Sequence, residues 1–469
     1  MAAQGIEADY LIIGAGAIGM IFADQLLTET DATLAIVDRG DRPGGHWNDA
    51  YPFVRLHLPS AYYGVNSRVL GSGRIETRGL NKGFYELAGA AEIVRYFEAL
   101  MQDRFLPSGR VQYFPLSEYR DCQIVSRVSG QAHTVRPRKT VDATLSNTSV
   151  PSTRRPGFAV AAGMTCRPVN ELPRIVRPDA DYVIVGAGKT GIDACCFLLE
   201  NGIDPDRIHW IMPRDFWLLD RANYQPGEIL FARMAANIAN EAEAIAEAAS
   251  PDELFARLEA AGVWRRIDPA ITPTGFHCAI VSDGELEQMR RIRNIVRLGR
   301  VLRIDRNEIV LERGAIATSA EVLHIDCSAP GVPTNSPRPI FDGDRIHLQW
   351  VRLCQPAFSA AFIAHIEATY SDEAEKNRLC APIPPLQTPA DWLRRMATEM
   401  ANRYRWSGDQ ALNDWIAASR LDGFSARVRA LKPTDTEAMG HLQRYARNAG
   451  AATAKLKQFL AEADAPKPA

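Results

Sequence analysis

The sequence predicts an α/β protein built from two Rossmann-like units, with a helical insertion in the second and a helical C-terminal region. Three observations lead there. A glycine-rich segment occurs twice, each copy follows a short β-branched apolar run, and the composition turns strongly helical around residues 225–262 and again from Pro389.

The repeat is the most informative of the three. Ala8 to Gly19, ADYLIIGAGAIG, returns as Ala180 to Gly191, ADYVIVGAGKTG, at an offset of 172 residues, and ten of the twenty positions from 8 to 27 are identical to their counterparts. The apolar runs Tyr10–Ile13 and Tyr182–Val185 suit strands buried in a parallel sheet, and the segments after the glycines have the apolar content of packed helices. In such a strand-to-helix turn Gly14 and Gly186 permit the bend. Gly16 and Gly188 let the backbone approach a pyrophosphate, and Gly19 and Gly191 let helix and strand pack closely. The helix N-terminus then faces the phosphates, so each copy is expected to hold one dinucleotide.

The residues that follow separate the two ligands. Thr33–Val37 reads as the second strand and ends at Asp38, 24 residues after Gly14, where a carboxylate accepts hydrogen bonds from the hydroxyls of an adenosine ribose. Asp38, with Arg39 beside it, therefore suits FAD or NAD. In the second copy the matching strand, Ile208–Met212, runs into Pro213 and Arg214 with no acid at its tip. A cation there suits a 2′-phosphate and favours NADPH over NADH. Lys189 adds positive charge near the same phosphates, and Thr190 beside it belongs to the same candidate site.

Composition bounds the rest. At 469 residues, 46% hydrophobic and 23% charged, the chain is long enough for two or three domains with substantial cores. Lys plus Arg (54) nearly balances Asp plus Glu (56), so no large field points to nucleic acid or an anionic membrane, and the expected partner is a small molecule. The apolar stretch Tyr10–Ala23 follows Asp9 and carries three glycines, so it reads as neither a signal peptide nor a membrane span. A cytoplasmic protein is expected. The eight cysteines form no CxxC pair and no zinc spacing, so no metal site is expected, and the adjacent Cys195 and Cys196 are expected to be buried.

Between the repeats, Gly89 to Leu106 has the spacing of an amphipathic helix, and antiparallel strands are expected from Val111 to Val128 and at Thr140–Thr144. Short strands resume at Val301–Ile304 and Ile309–Glu312. His324 to Gly331 echoes Thr140 to Thr144, and both are read as places where the chain passes between units. A helix is expected to start near Phe358. From Pro389 the sequence is helical and aromatic, with Trp392, Tyr404, Trp406 and Trp415, which suits a lid or a homo-oligomer surface. Ala465–Ala469 reads as a frayed end.

Taken in order, the first GxGxxG, Gly44-Gly45-His46-Trp47, Tyr51-Pro52, Arg55, and a second GxGxxG followed by arginine resemble the flavin-containing monooxygenases and their Baeyer–Villiger relatives over about the first 220 residues. The resemblance implies that Gly45, His46 and Trp47 lie along FAD, with the Tyr51-Pro52 loop leading towards its ring. It implies a cycle in which NADPH reduces FAD, O2 adds at flavin C4a, and one oxygen atom passes to a small organic substrate. Two positions depart from the family pattern. Ala161 to Arg167 stands where the family carries F-x-G-x-x-x-H, and His57 stands where Baeyer–Villiger enzymes carry an aspartate two residues after the loop arginine.

His57 is the first candidate catalytic group, because a histidine can switch between donor and acceptor near neutral pH. Arg55 is the second, through charge on a flavin oxygen or a phosphate. Gln349 is assigned to the cofactor from its place before the helix near Phe358. The expected organisation is an FAD domain over 1–150 and 320–388, an NADPH domain over 151–319, and a helical region over 389–469. An FAD-dependent dehydrogenase or oxidase and a non-catalytic flavin-binding redox sensor remain open beside the monooxygenase.

Overall fold

The computed structural model describes residues 5–145, 149–329, 336–352 and 354–464. The readings of Pro330, Gly331 and Ala465–Ala469 lie outside the described residues. In the first unit strand Ile6–Ile13 sits between Leu34–Val37 and Ala132–Asp142, parallel to both, with Ile13 opposite Val37 on one side and Asp142 on the other. Val111–Phe114 and Arg345–His347 extend the sheet in parallel at either end. The second unit repeats this plan. Tyr182–Val185 lies between Ile208–Ile211 and Leu323–Asp326, with Asn294–Val296 and Cys166–Pro168 outside them, all parallel. The central strands bury their alternating faces, as a sheet covered on both sides requires.

The repeat extends beyond the motif. Each unit carries an antiparallel excursion before its last central strand: Ser117–Arg120 with Gln123–Ser126 in the first, and Val301–Ile304, Glu308–Leu311 and Gly314–Ala317 in the second. The two echoing strands end alike, with Asp142 accepting from the Thr144 N–H and Asp326 from the Ser328 N–H, each at 2.9 Å. After Asp142 the chain enters the second unit. After Asp326 it returns to the first sheet at Phe341–Asp342 and Arg345–His347.

Three expectations need correction. Val111–Phe114 is parallel to its neighbour, because the helical crossover through Ala90–Leu100 delivers the next strand in the same direction. Only the hairpin after it is antiparallel. The return from the second unit falls after Asp326 and not at residue 320, since all four residues of Leu323–Asp326 pair with Tyr182–Val185. The amphipathic segment is α-helical over Ala90–Leu100 and continues through a π turn, Met101–Phe105.

Helix Ala17–Glu29 is apolar around most of its circumference because it is covered twice, by the sheet and by helix Pro356–Thr369. A buried cluster ties these layers: Glu367 accepts from Tyr10 Oη at 2.8 Å and from Lys139 and Lys376 Nζ at 2.7 Å each. The helical insertion forms as Phe231–Glu247 and Pro251–Ala260. It packs against Pro389–Ser407 and Thr436–Asp464 over a core that includes Trp217, Trp264, Phe276 and Trp392, with the Trp264 and Trp392 rings edge to face at 5.0 Å. The tail is thus fastened to the insertion by aromatic packing. Cys195 and Cys196 are buried, and Cys278 and Cys354 form a disulfide with Cα atoms 6.4 Å apart. Among the described residues no helix is long and apolar enough to cross a membrane, and no cluster suits a metal ion.

Candidate functional site

The first glycine turn is a cradle closed to side chains at Gly19 and at the facing Gly45. Gly14 takes φ +105°, and a Cβ on Gly19 would overlap the Gly14 carbonyl oxygen. The Gly44 N–H donates to Ala15 O at 2.9 Å, and a Cβ on Gly45 would stand 2.9 Å from Gly16 Cα. The Gly44-Gly45-His46-Trp47 segment therefore lies directly against the turn. Asp38 closes the far side, accepting from the N–H groups of Ala15 and Gly40 at 2.6 Å each, while burial holds its carboxyl above the usual range. The Tyr113 hydroxyl, in the field of Asp38, and Asn48 Oδ1 are buried without a hydrogen-bond partner. Unfilled polar groups around a glycine cradle are what a bound nucleotide would satisfy.

The neighbouring candidates divide. Trp47 is buried and donates from Nε1 to Tyr63 Oη at 2.8 Å, with the His46 ring beside it at 5.0 Å. Burial pushes the His46 imidazole down to about 4, so it is neutral in neutral solution. Arg39 is not brought to the cradle. Its largely exposed side chain reaches Glu118 at 3.7 Å, because the chain turns into solvent after Asp38.

The second turn repeats the construction. Gly186 takes φ +126°, a Cβ there would meet Cys327 O at 2.9 Å, and a Cβ on Gly191 would overlap the Gly186 carbonyl. Gly188 faces open space. Arg214 stands just past Ile208–Ile211, donating to Gln387 Oε1 at 3.3 Å and lying over the Phe216 ring at 5.4 Å. No carboxylate among the described residues pairs with it. Lys189 departs from expectation. Its ammonium pairs with Asp193, one turn along the same helix face, so its charge is already matched within the helix.

A polar and aromatic junction joins the two cradles. Tyr51 Oη donates to Asp193 Oδ2 at 2.6 Å, the Thr190 hydroxyl also bonds Tyr51, and the Phe53 ring stacks on Phe197 at 4.3 Å. Burial, more than Lys189 can offset, holds the Asp193 carboxyl above its usual range. His57 follows on the same loop. Its Nδ1 accepts the Ile280 N–H at 3.2 Å, which leaves the ring proton on Nε2 in the neutral form. Burial first, then the charges of Lys189 and Arg221, hold His57 well below its usual range. It does not change charge near neutral pH, so the switch between donor and acceptor expected of it is corrected: the ring is neutral, with its proton on Nε2.

Arg55 and Gln349 are corrected further. The Arg55 guanidinium pairs with Glu76 through both terminal nitrogens and donates from Nε to Leu87 O at 3.1 Å, so its fork is turned to these partners. Gln349 clamps the Arg338 backbone, accepting its N–H at 3.1 Å and donating to its carbonyl at 2.8 Å. Arg221 holds the junction from below. Fully buried, it donates to His57 O, Asn81 Oδ1 and Ile280 O and pairs with Glu285 at 2.8 Å. Arg221→Met should cost about 3–5 kcal/mol by stranding Glu285 and these acceptors, as denaturant unfolding would show.

Beside the junction lies a cavity with an empty volume of about 1230 Å³ including its mouth. Leu58, next to His57, and Ile280 form its wall towards the cradles. The insertion helix supplies Ile238, Glu241 and Ile245, and the tail supplies Met396, Met400 and Tyr445. Burial first, and then Glu399, raise the Glu241 carboxyl to about 7. Since that lies above its ordinary value of 4.5, the protonated form is favoured by folding, and stability present below pH 4.5 is lost as pH rises to 7. Glu241→Gln should match the native protein at pH 4 and exceed it by up to about 3 kcal/mol at pH 8 in denaturant unfolding.

Asp193, Arg221 and Glu241 were not among the residues assigned from sequence, and Tyr51 was placed only within the loop that the resemblance leads towards the flavin ring. Asp193 carried a signal in its four-residue spacing from Lys189. Glu241 carried none, being one acid among several in an alanine-rich helix.

Residues 12–63 match the family described as an NAD(P)-binding Rossmann-like domain. Over 421 residues the chain is 50% identical to the uncharacterized protein Rv2000 of Mycobacterium tuberculosis, covering 90% of this chain and 78% of that protein. The same values hold for the uncharacterized protein Mb2023 of Mycobacterium bovis. Among solved structures, the closed form of cyclohexanone monooxygenase shares 14% identity at a TM-score of 0.49, covering 97% of this chain and 99% of that one. An oxidized steroid monooxygenase bound to NADP shares 14% at a TM-score of 0.49, covering 77% and 84%.

Proposed function

The chain belongs to the family of these mycobacterial proteins, and from its own residues we propose that it is an FAD-dependent, NADPH-using monooxygenase acting on a small organic molecule. The observation that carries the reading is the joining of two glycine cradles through Tyr51 and Asp193, with a mostly apolar cavity beside their junction. Two cradles so joined suit electron transfer between two dinucleotides, and the cavity suits a third molecule.

Asp38 would accept the ribose hydroxyls of FAD, the turn from Gly14 through Gly16 to Gly19 would take its pyrophosphate, and Gly45, His46 and Trp47 would wall it. Gly186, Gly188, Thr190 and Gly191 would hold the NADPH pyrophosphate, and Arg214 its 2′-phosphate. FAD supplies the redox and oxygen chemistry when bound. The protein's part is positioning and the exclusion of water. The Phe53–Phe197 stack and the Tyr51–Asp193 bond seal the seam between units. His57 presents a neutral Nε2–H whose state does not vary across neutral pH.

The test is turnover under ¹⁸O₂ with NADPH and a panel of amines, sulfides and ketones. One labelled oxygen in a product, matched to NADPH consumed, is the expected result. Hydrogen peroxide equal to NADPH consumed with every compound would overturn the reading, as would anaerobic bleaching of the flavin by substrate alone.

A further inference from the structure

The cavity holds two unmatched oxygen acceptors. Asp422 accepts from Arg352 at 2.6 Å, and Glu399 from Arg403 at 2.8 and 3.1 Å with Arg395 at 3.9 Å behind it. Asn223 donates to Asn237 at 2.9 Å, and Asn237 also holds the Tyr224 hydroxyl. That leaves the Glu241 carboxyl, which no hydrogen bond or ion pair reaches among the described residues, and Gln355 Oε1, buried and without a partner. Three donor nitrogens here are also without a hydrogen-bond partner among the described residues: Nε of Arg352, whose guanidinium lies over the Phe358 ring at 3.8 Å, and Nε and Nη2 of Arg395, which stands behind the lining over the Phe276 ring at 6.0 Å.

We propose that this cavity binds an apolar, uncharged molecule carrying a hydroxyl group, and that Glu241 reads the hydroxyl. The proposal deepens the reading above by naming a class of molecule for the cavity, but the binding requires no redox step. The apolar walls favour an apolar body. Gln355 Oε1 and the ionised Glu241 carboxylate are both acceptors, so the ligand has to donate. With Glu241 ionised the charge is already balanced, because the guanidinium groups of Arg352, Arg403 and Arg395 stand against the carboxyls of Asp422, Glu399 and Glu241. A charged ligand would leave an excess in a desolvated space. A hydroxyl completes the Glu241 carboxylate at no charge, whereas a molecule of the same shape without a donor leaves it unpaired.

The experiment is isothermal titration of the flavin-loaded protein with three probes of equal chain length: 1-decanol, its methyl ether and decylamine. The alcohol should bind about tenfold or more tightly than the ether, since a site built around a hydroxyl discriminates strongly against its absence. The hydroxyl donates best to the ionised carboxyl, whose ionisation is opposed by burial and Glu399 and aided by Arg395 and Arg403. Alcohol affinity should therefore rise between pH 6 and pH 8. Glu241→Leu should bring the alcohol-to-ether ratio to about one, while Glu241→Gln keeps a preference and loses the pH dependence. Equal affinity for alcohol and ether in the native protein, tightest binding of the amine, or a preference that survives Glu241→Leu would each overturn the proposal. Tight alcohol binding without ¹⁸O incorporation would leave it standing and sink the monooxygenase reading. The reverse pattern would do the opposite.

Discussion

Gly19→Ala should yield a protein that purifies without flavin and unfolds about 3 kcal/mol or more below the native chain, because its Cβ would occupy the space of the Gly14 carbonyl oxygen. Helix Ala17–Glu29 cannot retreat, being pressed between the sheet and helix Pro356–Thr369, so the turn itself has to open. The matching substitution Gly191→Ala meets the Gly186 carbonyl in the same way. It should disable the second cradle while leaving the first intact, so that the protein keeps its flavin absorbance but NADPH no longer bleaches it. Flavin absorbance, unfolding by denaturant and anaerobic NADPH titration distinguish the two variants. Loss of flavin from Gly191→Ala with retention in Gly19→Ala would reverse the assignment of the sites.

Arg214→Ala should raise KM for NADPH by about 10- to 100-fold while changing KM for NADH little, the range expected when a charged hydrogen-bond donor to a phosphate is removed. Among the described residues Arg214 has no carboxylate partner, and its contacts are weak ones: a long bond to Gln387 and the face of Phe216. It can therefore turn to a phosphate at little cost. Arg214→Lys should recover only part of the preference, since a lysine supplies charge without the planar fork. Equal effects of Arg214→Ala on the two nucleotides, in steady-state kinetics with each, would show that this residue does not read the 2′-phosphate.

The pH dependence of turnover offers a separate check on His57. Its imidazole is held well below its ordinary range by burial and by Lys189 and Arg221. The proton is therefore lost well below neutrality, and kcat/KM should show no ionisation attributable to His57 between pH 6 and pH 8. His57→Gln should leave the shape of that profile unchanged. A neutral-range ionisation that vanishes in His57→Gln would restore the switching role its residue type suggests.

Where the fold was legible in the sequence, the physics was local. Gly14, Gly16 and Gly19 act within one turn, and Asp38 reaches Ala15 through the register of two adjacent parallel strands. The echo of Thr140–Thr144 in His324–Ala329 was also readable, because equivalent strands in repeated units have the same two neighbours to satisfy. What was not legible is where long side chains find their partners. Arg55 is claimed by Glu76 and Leu87, Gln349 by Arg338, and Lys189 by Asp193. A long polar side chain goes to whichever acceptor the fold brings near, and its position beside a motif does not decide that.

The sequence by itself determined that this protein has two Rossmann-like units, where their turns lie, and that an acid ends one second strand and an arginine the other. Those features depend on glycine sterics and strand periodicity, which spacing along the chain expresses. Only the tertiary structure decided how the units meet and what they enclose. The Tyr51–Asp193 bond spans 142 residues, and the cavity draws its walls from both units, the insertion and the tail. Glu241 owes its properties to that enclosure, because desolvation by distant parts of the chain raises its carboxyl to about 7.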